Sequence, residues 1–136
     1  MKPRHTVIVA ALIAVVAVNH AQQAVTLEAL LAAPFPSEIA AAPVGGRVAW
    51  VQNAKGSRNV WIAASPDFAG KQLTTFVGDD GQDITSLTWS PDGKALLFVR
   101  GGGPNRQGEV PNPALTPDAA EQAIWALDIA SGAARK

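Results

Sequence analysis

Short apolar runs separated by turn-forming clusters, repeated once after about 48 residues, predict an all-β chain. An apolar segment at the N-terminus, behind a positive start, predicts a signal peptide. Together they predict an incomplete β-propeller, about two four-stranded blades, after that signal. The expected boundaries are 1–22 for the signal peptide, 23–36 for a lead-in segment and 37–136 for the partial propeller. Blade one would run over about 37–83 and blade two over about 84–136.

The N-terminal elements come first. Lys2, Arg4 and His5 supply positive charge, and Val7 to Val18 is unbroken apolar sequence. The polar stretch Asn19 to Gln23 follows, with Ala21 as a candidate exit residue. A membrane-spanning helix needs about 20 apolar residues, so this run reads as an export signal and not as a stable membrane span. Localisation would be periplasmic or secreted. Val25 to Ala33 has helical spacing and is stopped by Pro34 and Pro36.

The strand readings follow in order. Arg47 to Gln52 and Asn59 to Ala63 flank the turn cluster Asn53 to Ser57. Ser65-Pro66-Asp67 turns the chain before Gln72 to Phe76, and Gly78 to Gly81 turns it again. Ile84 to Trp89 and Ala95 to Val99 form the next pair, and Ala123 to Ile129 is the last clear strand. The run from Ala95 is apolar at every position, as in a strand covered on both faces.

The repeat decides among sandwich, barrel and propeller. Gly46 to Val51 matches Gly93 to Val99 at an offset of about 48, and Val60-Trp61-Ile62 matches Ile124-Trp125-Ala126 at 64. The second copy carries a longer loop, Gly101 to Glu121, with four prolines. A period in the 40s with four short strands per unit is a propeller signature. Trp89, Ser90, Pro91, Asp92 and Gly93 form the structural repeat motif. Ser first, Pro second and Gly last is type I turn chemistry, joining the first and second strands of a blade. Trp89 would fill the space between blades.

The segment Leu87 to Gly102 resembles the repeat shared by the Tol-system periplasmic propeller protein and the N-terminal domains of prolyl oligopeptidase-type serine peptidases. The wider stretches Ala33 to Glu38, Gly45 to Ala63 and Asp79 to Gly93 look like the start of secreted peptidase members, among them acylaminoacyl-peptidase and dipeptidyl-peptidase relatives. The resemblance implies a parent that hydrolyses short peptides, with the propeller gating access to a C-terminal α/β-hydrolase domain. This chain would then be a non-catalytic N-terminal fragment. Its partners would be the missing blades and hydrolase domain, with peptide substrate bound by the full-length protein. The alternative is a periplasmic Tol-type propeller scaffold for protein–protein interaction without catalysis. A third reading is a truncated reading frame with no function of its own.

Composition limits the chemistry. The chain has no cysteine, and its two histidines, His5 and His20, lie in or beside the signal. That excludes a disulfide framework and a zinc site in the mature chain. Formal net charge is zero, which argues against a nucleic-acid surface. No G-x-S-x-G elbow occurs around Ser57, Ser65, Ser86, Ser90 or Ser131. No catalytic residue, cofactor-binding residue or metal ligand is therefore assigned. Asp79, Asp80 and Asp83 supply oxygen ligands suited to calcium, but their spacing is not that of an EF-hand, and a solvated loop is the expected role. The loop from Gly101 is expected either to project from a rim and shape access in a full propeller or to be a disordered insertion. Two blades bury one mutual face and leave two bare, whereas repeat folds need at least about three units. The isolated chain is thus expected to be marginal, aggregation-prone or dependent on a partner.

Overall fold

The computed structural model describes residues 25–115, 117 and 120–136. The signal-peptide reading over 1–22 lies outside the described residues, as do both histidines. What is described is mostly β: two four-stranded antiparallel sheets and one short helix. No helix among these residues is long and apolar enough to cross a membrane.

Helix α1 (Leu27–Leu31) occupies the middle of the segment with helical spacing. Thr26 caps it, its hydroxyl accepting from the Ala29 N–H at 3.1 Å. All its residues are at least partly exposed, so α1 contributes nothing to the core.

Sheet 1 consists of β1 (Phe35–Ala41), β2 (Arg47–Ala54), β3 (Ser57–Ala64) and β4 (Lys71–Gln72). Sheet 2 consists of β5 (Ile84–Trp89), β6 (Ala95–Arg100), β7 (Ala123–Asp128) and β8 (Ala134–Arg135). In each, strands lie in chain order, so both sheets are simple meanders. β2 and β3 extend into the expected turn cluster, leaving Lys55-Gly56 between them, and three larger differences from the sequence reading stand out. β1 begins at Phe35, inside the expected lead-in, because prolines are tolerated on the first strand of a sheet, which has an open edge. β4 ends at Gln72 and does not run on to Phe76, for a reason given below. A final strand, β8, follows the one taken as last.

The two sheets are one unit used twice. Ala41 pairs with Val48, and 48 residues later Trp89 pairs with Leu96. Ser37 pairs with Val51, and Thr85 with Val99. Each first strand is bulged at the same place, and a non-glycine residue there has positive φ: Glu38 at 52° and Ser86 at 56°. In the second half of the unit the offset is 64. Ile62 pairs with Lys71, and Ala126 with Arg135. This register also moves the sequence alignment by one residue. Gly45 is the counterpart of Gly93, both with positive φ, so Arg47 corresponds to Ala95 and not to Lys94. The sequence reading had paired Gly93 with Gly46, the neighbour of its counterpart.

The core lies between the sheets, which come closest at β1 and β5. Strand alternation gives sheet 1 an inner face of small and medium side chains: Ala49, Val51, Val60 and Ile62. Sheet 2 meets it with larger ones: Leu87, Trp89, Leu96, Phe98 and Leu127. Phe98 and Leu96 are essentially fully buried, and burying one such side chain stabilises by about 1.5–3 kcal/mol. The expectation that β6 is covered on both faces does not hold. Leu97, on its other face, is 37% exposed, because nothing described packs there.

Candidate functional site

The hairpin at Ser90 to Gly93 positions the seam between the sheets. The Gly93 N–H donates to the Ser90 carbonyl at 2.9 Å, closing a four-residue turn between β5 and β6. The Ser90 hydroxyl donates to Asp92 Oδ1 at 2.7 Å and accepts from the Ala95 N–H at 2.9 Å. Asp92 also accepts from the Lys94 N–H at 3.0 Å. The Ser90 hydroxyl, and then the Lys94 N–H, hold the exposed Asp92 carboxyl below its ordinary value. The same pairing recurs between β7 and β8, where the Ser131 N–H and hydroxyl lower Asp128.

At and beside this turn three hydrogen bonds and one cation–π contact cross the seam. Trp89 Nε1 donates to the Ala40 carbonyl at 3.0 Å, with the indole only 9% exposed. Arg47 Nη2 donates to the Gly93 carbonyl at 2.7 Å, and its guanidinium lies 5.2 Å from the Trp89 ring centroid. The Leu87 N–H donates to Glu38 Oε2 at 3.3 Å, so the bulge in β1 aims a carboxylate at β5. Gly93 has φ of +67°, and a Cβ there would come within 2.9 Å of Val44. The roles of Arg47 and Glu38 carried no signal in the sequence, since both depend on how the sheets stack.

At the other end of the strands sits a polar cluster built around Asn59. Its side-chain amide donates to the Phe76 carbonyl at 2.9 Å and accepts from the Phe76 N–H at 2.8 Å. Thr74 donates to Asn59 Oδ1 and accepts from the Val60 N–H, both at 2.9 Å. These side chains stand in for a strand ladder, which is why residues 73–76 follow β3 without extending β4. Phe76 then meets Trp125 of sheet 2 edge-on, with centroids 5.7 Å apart, and carries Arg100 over its ring at 4.2 Å.

The three aspartates weighed as oxygen ligands face arginines. Arg58 pairs with Asp79 at 3.2 Å and with Asp83 at 3.0 Å, and Arg100 pairs with Asp80. Among the described residues no group of three or more acidic or histidine side chains is arranged to hold a metal ion. The long loop folds back onto this end: Gln82 Nε2 donates to the Pro111 carbonyl at 3.2 Å, and Pro113 packs over Gly81. Ser57 donates to the Phe76 carbonyl, so its hydroxyl, like those of Ser90 and Ser131, is engaged within its own turn or neighbouring segment.

The remaining feature is the outward face of sheet 1. Pro36, Ile39, Val48, Trp50 and Gln52 line an apolar groove there. Trp50 stacks on Trp61 with centroids 6.2 Å apart, and Ile39 is 68% exposed. No family model matches this chain, and no curated protein matches its sequence.

Proposed function

We propose that this chain is the non-catalytic N-terminal propeller portion of a secreted serine peptidase of the prolyl oligopeptidase type, each sheet being one blade. The propeller would gate access of short peptides to a hydrolase domain elsewhere in the parent. One observation carries the reading: two meanders in the same register, stacked in the same sense, leave at each end a face of the kind that is buried between them. A sheet stacked this way continues into further sheets, which is how propellers and other repeat architectures are built. The signal-like N-terminus and the resemblance over Leu87 to Gly102 supply the periplasmic or secreted location and the family.

The test is to isolate the protein from its source cells with an antibody to residues 45–93 and treat it with a serine-directed covalent inhibitor. Covalent labelling of a product several times larger than this chain is the expected result. An unlabelled large product composed of blades would favour the Tol-type scaffold. A product the size of the chain itself would overturn the peptidase reading.

A further inference from the structure

We propose that copies of this chain associate head to tail, the outward face of sheet 2 in one copy packing on the outward face of sheet 1 in the next. The proposal rests on the repeat of the two sheets and not on the peptidase reading.

The argument is a residue-by-residue equivalence. The face of sheet 2 that is buried in the seam includes Ile84, Leu87, Leu96 and Phe98, with Trp125 half-buried beside them. Their counterparts on sheet 1 are Pro36, Ile39, Val48, Trp50 and Trp61, all facing outward. Leu87 is 8% exposed, whereas Ile39 is 68% exposed. The relation holds in reverse for the other partner. Ala40, Ala49, Val51, Val60 and Ile62 cover the seam from sheet 1. Their counterparts on sheet 2 are Thr88, Leu97, Val99, Ile124 and Ala126, on its outward face. Val60 is fully buried, whereas Ile124 is 67% exposed. Each open face is thus a copy of one side of a seam the chain already makes, and the two open faces are the two different sides of it.

Size complementarity selects the occupant. The seam sets a large-residue face against a small-residue face. Two sheet 1 faces brought together would set Trp50 and Trp61 against the same indoles, and two sheet 2 faces, with Leu97, Val99 and Ile124, would bring no aromatic ring to the contact. Only the heterologous pairing repeats the observed packing. Such a pairing closes into a ring when the rotation per sheet divides a turn, and otherwise grows into a filament. Propellers close with about four to eight blades, so a ring would hold about two to four copies. The polar ties of the seam are not repeated. Ala95 stands where Arg47 is needed, and Ala41 where Trp89 is needed. The contact between copies is therefore weaker than the seam within one copy, and it is lost on dilution.

The experiment is sedimentation velocity on the whole chain, produced with export and purified as the cell processes it, from about 1 to about 100 µM. The wild type should rise from monomer toward two to four copies. Ile39→Asp and Ile124→Asp change exposed side chains on opposite faces, and each alone should remain monomeric with an unchanged circular dichroism spectrum. Their equimolar mixture should form a dimer and stop there, since each variant keeps the face the other has lost. Should either aspartate unfold the chain, Gln72→Lys and Thr88→Lys address the same two faces from more polar positions. A wild type that stays monomeric throughout overturns the proposal, while leaving open that further sheets of a longer chain cover these faces. Self-association that persists in either single variant, or a mixture that stays monomeric, overturns it as well.

Discussion

Four equivalent side-chain positions are buried in sheet 2, at Ile84, Leu87, Leu96 and Phe98, and exposed or half-buried in sheet 1, at Pro36, Ile39, Val48 and Trp50. On sheet 2 they hold Phe98 at 1% exposure with Trp125 stacked on it at 6.3 Å. On sheet 1 they hold Trp50, stacked on Trp61 over an open groove. Local sequence is alike in the two places, so burial is decided by what lies opposite. The difference teaches that apolar pattern identifies a face meant to be covered, while the neighbour determines whether it is.

The largest expected effect breaks this comparison directly. Phe98→Ala should cost about 3–5 kcal/mol, the range for emptying a fully buried aromatic site. Trp50→Ala, at the equivalent position, should cost about 1 kcal/mol, mainly the loss of the stack on Trp61. Urea denaturation of the dilute chain measures both; equal losses would mean that the two faces are equally buried.

Asn59→Ala comes next. The counterpart of Asn59 in sheet 2 is Ala123, which has no such network. Removing the amide strands the Phe76 N–H in a partly buried place, while the Phe76 carbonyl keeps Ser57, and should cost about 1–3 kcal/mol. Hydrogen exchange at Phe76 should accelerate, while Ala123 and its neighbours keep their protection.

A smaller effect separates two glycines with the same backbone. Gly93 and Gly132 have φ of +67° and +70°, but only Gly93 has neighbours where a Cβ would sit. Gly132→Ala should cost about 1 kcal/mol for the left-handed conformation alone. Gly93→Ala should cost more, because Val44 and Arg47 must move and the seam with them. Equal losses in thermal melts would remove Gly93 from the seam.

The smallest effect concerns Asp92 and pH. Its carboxyl is held below the ordinary value of 3.8, chiefly by the Ser90 hydroxyl. A lowered folded value means that the turn's contribution is present above 3.8 and is lost as pH falls through the lower folded value. Ser90→Ala should raise the Asp92 titration toward 3.8, seen in carbon-detected NMR, while Asp128 stays where it is.

The sequence made the strand-and-turn alternation, the two offsets and the Ser90 to Gly93 hairpin legible, because each depends on residues near one another in the chain. Phe35-Pro36 was read as the end of the lead-in, where prolines stop a helix, and its place at a sheet edge is what admits it to a strand. The stop of β4 at Gln72 depends on Asn59, thirteen residues earlier, acting as a substitute ladder. The apolar run of β6 could not reveal that Leu97 faces outward with nothing on it. Of the seam, Trp89 was legible as a filler between sheets. Arg47, Glu38 and Phe76 were not, since their roles arise only when the sheets meet.

Both proposals place a further sheet on the outward face of sheet 1 in the protein as the cell makes it. Hydroxyl-radical labelling of protein isolated from its source cells, read by peptide mass spectrometry, tests this most directly. Ile39 and Trp50 should be protected, each relative to its own unfolded rate, as strongly as Leu87 and Phe98. Labelling of Ile39 and Trp50 at the rate of an unfolded peptide would contradict both.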